Sequence, residues 1–182
     1  MRKNIMRIVA ATTIVAVVAT GVTVYAVSNK KVTVAKKALN KKGKYLVKKT
    51  KDSEYKLVNV NADKIPEMFY LYPSGVRGAL RVYQYDAANK KVVRLKTFNG
   101  FTRAYKNKKK NQIIICQSGG ARENYITTYK VGKGKLTKVL CYKTKVSTKG
   151  KTETINFYKN GKKIAEEVYE KYAKTLNYPV IF

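Results

Sequence analysis

Between residues 55 and 158, apolar and polar positions alternate in short runs separated by turn-forming residues, and this period of two predicts strands. The runs fall at 55–60, 68–72, 80–85, 92–95, 102–105, 112–117, 125–131, 136–145 and 152–158, and they are rich in β-branched and aromatic side chains. Their separators include Ser118-Gly119-Gly120 and the pair Asn160-Gly161, a strong signal for a tight hairpin turn. The period then changes. Ala165, Val168, Tyr169, Tyr172 and Leu176 recur at helical spacing, with Glu166 and Glu167 near the start and Lys174 near the end, as the helix dipole favours. Ahead of the strands, the apolar marks Val34, Ala35, Ala38 and Leu39 suit a helix that Gly43 should interrupt. The pattern predicts an α+β, mainly β fold: an antiparallel meander of about 8–9 short strands with a short N-terminal helix and a C-terminal amphipathic helix.

The first 26 residues differ from all of this. Arg2, Lys3 and Arg7 precede an uncharged run over 8–27 that contains four Thr and Gly21, and Val24 and Ala26 stand at the −3 and −1 positions before Val27. A basic head, an apolar stretch and small residues are the layout of an export signal. A run of 20 residues is also long enough for an uncleaved membrane anchor, and both readings stand. The expected organisation is a signal peptide or anchor over 1–26, a basic linker with a short helix over 27–52, and a single mainly-β domain over 53–182. In either reading the domain is secreted or held at the cell surface.

Charge sharpens the picture. Lys and Arg number 40 against 10 Asp and Glu, and loss of residues 1–26 lowers the formal charge only from +30 to +27. The excess is carried by 33 Lys and only 7 Arg. Lysine is a strongly hydrated point charge, whereas arginine is the better fork for phosphate and base recognition, so the composition favours diffuse attraction to polyanions. The densest cluster is Lys106, Lys108, Lys109 and Lys110, flanked by Tyr105. Its expected partners are anionic polymers of the cell wall or extracellular matrix. Cys116 and Cys141 both lie in apolar runs, and either one disulfide or two buried thiols is compatible with an exported chain.

One stretch carries a chemical pattern. Asn59, Asn61, Asp63 and Glu67 stand where alternate oxygen ligands of a calcium loop would converge on a hard cation. Two amides in place of carboxylates lower the ligand charge, and Lys64 occupies the position where such a loop turns on Gly. The segment from Tyr55 to Met68 resembles a degraded copy of the Tyr-x-Leu-x-Asp-x-Asp-x-Asp-Gly-x-Pro-Glu-Leu stretch of exported proteins from Gram-positive gut clostridia. The closing segment from Tyr158 to Ala165, leading to Val168-Tyr169, is similar to the way those domains end. The resemblance implies a cell-surface or secreted domain whose relatives mostly have no assigned activity.

The chain contains no His, so the commonest general base and metal ligand is missing and a Cys–His nucleophile is excluded. Ser-x-x-Lys occurs at Ser28 and Ser53 without the companion motifs of acyl-serine enzymes. The expectation is therefore an exported, non-enzymatic, strongly basic domain that binds anionic polymers without a resident cofactor. The alternative is a calcium-dependent adhesive or scaffold module built on the Asn/Asp/Glu loop.

Overall fold

A computed structural model describes residues 29–60, 64–75, 77–107, 111–132 and 134–182. The expected signal or anchor over 1–26 lies outside the described residues. No helix among the described residues is long and apolar enough to cross a membrane.

Residues 29–49 form one helix, α1, that runs through Gly43 without the expected break. Ten strands follow among the described residues: β1 (Glu54–Val58), β2 (Glu67–Tyr72), β3 (Ala79–Asp86), β4 (Lys91–Phe98), β5 (Phe101–Asn107), β6 (Gln112–Ser118), β7 (Glu123–Gly132), β8 (Lys135–Lys149), β9 (Thr152–Lys159) and β10 (Lys162–Ile164). The helix α2 (Glu166–Lys174) closes the series. The class is α+β and mainly β, as the periodicity predicts. All strand pairs are antiparallel neighbours in sequence, but they form two sheets, β1-β2-β3-β4 and β10-β9-β8-β7-β6-β5. The meander crosses from one to the other at Asn99-Gly100. Gly100 has φ +62°, and a Cβ there would run into the Ser118 carbonyl, so this corner needs glycine.

Strand alternation explains the layers. Phe69, Leu80, Val82 and Phe98 of the first sheet meet Ala104, Ile113, Ile115, Tyr129 and Val131 of the second, forming the central core. The opposite residues of the same strands, Met68, Tyr70, Tyr83 and Tyr85, pack under Ala35 and Leu39 of α1. On the far side Tyr105, Ile114, Ile126 and Tyr142 pack under Tyr169, Tyr172 and Leu176 of and just beyond α2. The order is helix, sheet, sheet, helix. Residues 29–49 are thus part of the packed body, with Ala35 and Leu39 fully buried.

Gly43 has a positive reason to be glycine. It is buried against β1, where an added Cβ would stand 2.5 Å from the Tyr55 ring. Tyr55 is fixed in turn by the hydrogen bond from its hydroxyl to Asn40 Oδ1, 3.1 Å. The sequence pattern reads this residue as a breaker because it cannot show the strand pressing on the helix.

A polar device ties the sheets together. Gln84 Nε2 donates to Glu67 Oε1 at 3.3 Å, and the Gly134 N–H of the β7–β8 turn donates to Gln84 Oε1 at 2.8 Å. The outer edge of β5 is covered by residues 179–182: Ile181 N–H donates to Ala104 O at 2.8 Å and Lys106 N–H to Pro179 O at 2.9 Å. Covering that edge removes a template for strand aggregation.

Candidate functional site

The second sheet has six strands and the first has four, so the sandwich is lopsided. The central core takes no residue from β9 or β10, and the inner face of the second sheet continues past the first as an overhang. Its floor is β8. A register shift opposite Thr128/Tyr129 pairs Tyr129 with Lys138 and Thr128 with Leu140, leaving Val139 as the bulged residue. Beyond the bulge, Cys141 pairs with Thr127 and Lys143 with Tyr125, so Lys138, Cys141, Lys143 and Lys145 share the inner face. Tyr158 of β9 lies opposite Lys143 on the same side.

These side chains border an open cavity of about 670 Å³, whose rim is completed by Asn160 and Gly161. The rim is held in place. Asn160 Oδ1 accepts from the Cys141 N–H at 2.9 Å, and the Asn160 N–H donates to Cys141 O at 2.8 Å. Asn160 and Gly161 have φ +48° and +84°, the two left-handed residues of a type I′ hairpin, as their sequence predicts.

Electrostatics at the cavity mouth centre on Glu123. Lys143 Nζ stands 2.7 Å from Glu123 Oε1, and the Tyr125 hydroxyl donates to Glu123 Oε2. The Lys143 hydrogen bond, followed by that from Tyr125, holds the Glu123 carboxyl below its ordinary range. The same pairing pushes Lys143 above the ordinary lysine value, and the bond to Glu123 raises Tyr125. Lys143 Nζ also lies 5.3 Å from the centre of the Tyr125 ring. The site therefore presents ammonium groups, a tyrosine hydroxyl and an amide around one carboxylate that is already engaged.

The residues singled out from sequence fare differently. Tyr105 is buried under α2's side of the sheet, with only 8% of its surface accessible. Its neighbour Lys106 is half-buried on β5, while Lys108, Lys109 and Lys110 lie outside the described residues. In the expected calcium loop, Asn59 is exposed and Glu67 is fully buried. Glu67 Oε2 accepts from the Val60 N–H at 3.1 Å and Oε1 from Gln84, so this carboxylate is directed into the core. Asn61 and Asp63 lie outside the described residues. Among the described residues, no three of His, Cys, Asp and Glu gather to hold a metal ion.

Cys116 and Cys141 are free thiols. They stand on β6 and β8 with β7 between them, and their pairings with Ile126 and Thr127 place them on opposite faces of the sheet. Two strand spacings, about 10 Å, exceed the reach of a disulfide. The loop at Ser118-Gly119-Gly120 spends its Gly119 N–H on Glu123 O, 2.8 Å.

Tyr125, Lys138, Lys143, Lys145 and Tyr158 escaped the sequence reading as a site. The available signal was lysine at alternate positions, Lys143 and Lys145, within a predicted strand, which puts both charges on one face.

No family model matches the chain, and no curated protein matches it. Among solved structures, one of a Xanthomonas type IV secretion system related protein is similar at 15% identity and a TM-score of 0.41, covering 62% of this chain and 58% of that one. The chain thus matches a little over half the length of that structure.

Proposed function

We propose that the protein is an exported, non-enzymatic domain that binds anionic polymers outside the cell, using the lysine-lined inner face of the overhang. The observation that carries this reading is the set Lys138, Lys143 and Lys145 on one uncovered sheet face, beside an acid, Glu123, that is already paired. The export half of the reading rests on the basic head and apolar run of residues 1–26. A formal charge of +30 adds long-range attraction that steers any polyanion toward the surface. The site offers fixed cations and neutral hydrogen-bonding groups without a second carboxylate or a histidine, which supports binding rather than bond breaking. A second cavity, about 370 Å³ beside Gln84, contains the carboxylate of Asp86, which is spent on the Ala88 and Asn89 N–H groups of its own turn.

Retention on an immobilised polyanion, run with a salt gradient, tests the reading. Binding is expected to be strong at low ionic strength and to fall steeply as the Debye length shrinks from about 30 Å at 0.01 M to about 3 Å at 1 M. Retention that does not change with salt would overturn the electrostatic basis.

A further inference from the structure

β8 is much the longest of the described strands, 15 residues, and its inner face carries lysine beyond the cavity. After Lys145, the register Ser147↔Thr154 and Lys149↔Thr152 keeps Ser147 and Lys149 on the same side. Lys138, Lys145 and Lys149 are all exposed, and Lys143 is half-buried against Glu123. At about 3.3 Å per residue, Lys138 and Lys149 stand about 35 Å apart along the strand, and Lys143 and Lys145 about 7 Å apart. A small anion would span no more than one such pair. The row is a line of cations fixed to a rigid element.

Resting on the reading above, we infer that this face of β8 is a linear track for one extended acidic glycan, a sugar polymer with a carboxylate on successive repeats. Lys138, Lys145 and Lys149 take the carboxylates, Lys143 being held by Glu123 between them, and Tyr158 and Asn160 face the sugar hydroxyls. The chemistry argues for a glycan over a nucleic acid. Single-stranded nucleic acid is held by open aromatic faces on which bases stack. Here the Tyr125 ring has the Lys143 ammonium near its face and its hydroxyl bonded to Glu123. The track also has lysine and no arginine, and so lacks the forked donor that reads phosphate and base edges. Because the contacts are spread along a line, affinity grows with ligand length.

Cys141 lies on the floor of the track and reports on its occupancy, while Cys116, on the opposite face beneath α2, is an internal control. The experiment uses the full chain with polygalacturonate, graded oligogalacturonides, neutral dextran and single-stranded DNA as probes. It measures affinity together with the rate at which iodoacetamide alkylates each thiol. Two triple variants remove equal charge: Lys138→Gln/Lys145→Gln/Lys149→Gln on the track, and Lys36→Gln/Lys37→Gln/Lys41→Gln on the exposed side of α1, beyond the first sheet.

The expected result is protection of Cys141 but not Cys116 by polygalacturonate, with affinity rising through the oligomer series. The track variant should lose on the order of tenfold in affinity at low salt, and the α1 variant far less. Equal losses in the two variants with Cys141 unprotected would overturn the track and leave diffuse polyanion binding standing. Tighter binding and better protection by DNA than by polygalacturonate would overturn the glycan assignment. Binding to none of the charged probes would remove both the track and the function on which it rests.

Discussion

Glu123 shares its two oxygens between Lys143 and Tyr125, and both bonds favour the ionised carboxylate. Its folded pKa is therefore depressed, so the stabilisation is present above the ordinary carboxylate range and is lost as pH falls through the folded value. Lys143 is shifted upward by the same bond, so its share is complete below the ordinary lysine value and disappears as pH climbs through the raised one. Thermal melts of Glu123→Gln beside the parent should show a gap at neutral pH that closes in acid. A gap independent of pH would contradict the pairing. Glu67 is the contrasting acid, buried and bonded to Val60 and Gln84. Melts in excess calcium and in chelator are expected to superimpose. A calcium-dependent rise abolished by Asp63→Ala would instead return the loop to metal binding. Sequence placed Glu67 in a ligand series by spacing alone, and spacing does not say whether a side chain turns toward solvent or core.

At the scale of elements, the period of two located nine of the ten described strands, because most of them bury part of one face and burial writes alternation into the sequence. The strand it missed, β10, has only three residues and too little alternation to register. Helix α2 was legible for the same reason, its Tyr169, Tyr172 and Leu176 repeating at the spacing of one face. Helix α1 was legible only in part. Gly43 is a poor helix residue by intrinsic propensity, yet the close approach of Tyr55 requires it. Gly43→Ala should therefore lower stability by about 1–3 kcal/mol through overpacking, although alanine favours the isolated helix by about 1 kcal/mol. Chemical denaturation checks the sign, and a stabilised variant would show that α1 does not press on β1. The hairpin at Asn160-Gly161 was predictable because both residues must take positive φ. Asn99-Gly100 is the same dipeptide with a different outcome, since only Gly100 is left-handed there and the chain turns between sheets.

Over the whole molecule, composition established a strongly basic chain, and at low salt that charge should dominate its behaviour toward any polyanion. Retention falling with ionic strength is the expected signature, and the unequal effects of the track and α1 variants separate local binding from net charge. The sequence by itself determined the class of fold, most strand positions, the terminal helix, the hairpin at Asn160-Gly161 and the cationic character. Each of these is written in local periodicity, backbone preference or a sum over residues. Only the tertiary structure decided that the meander folds into two sheets at Gly100, that Tyr105 and Glu67 turn inward, and that the cysteines stand on opposite faces. It also decided that lysines along β8 share an uncovered face, because the second sheet is two strands wider than the first. These facts depend on which surface meets which, and a linear pattern records that a residue is apolar or charged without recording what lies across from it.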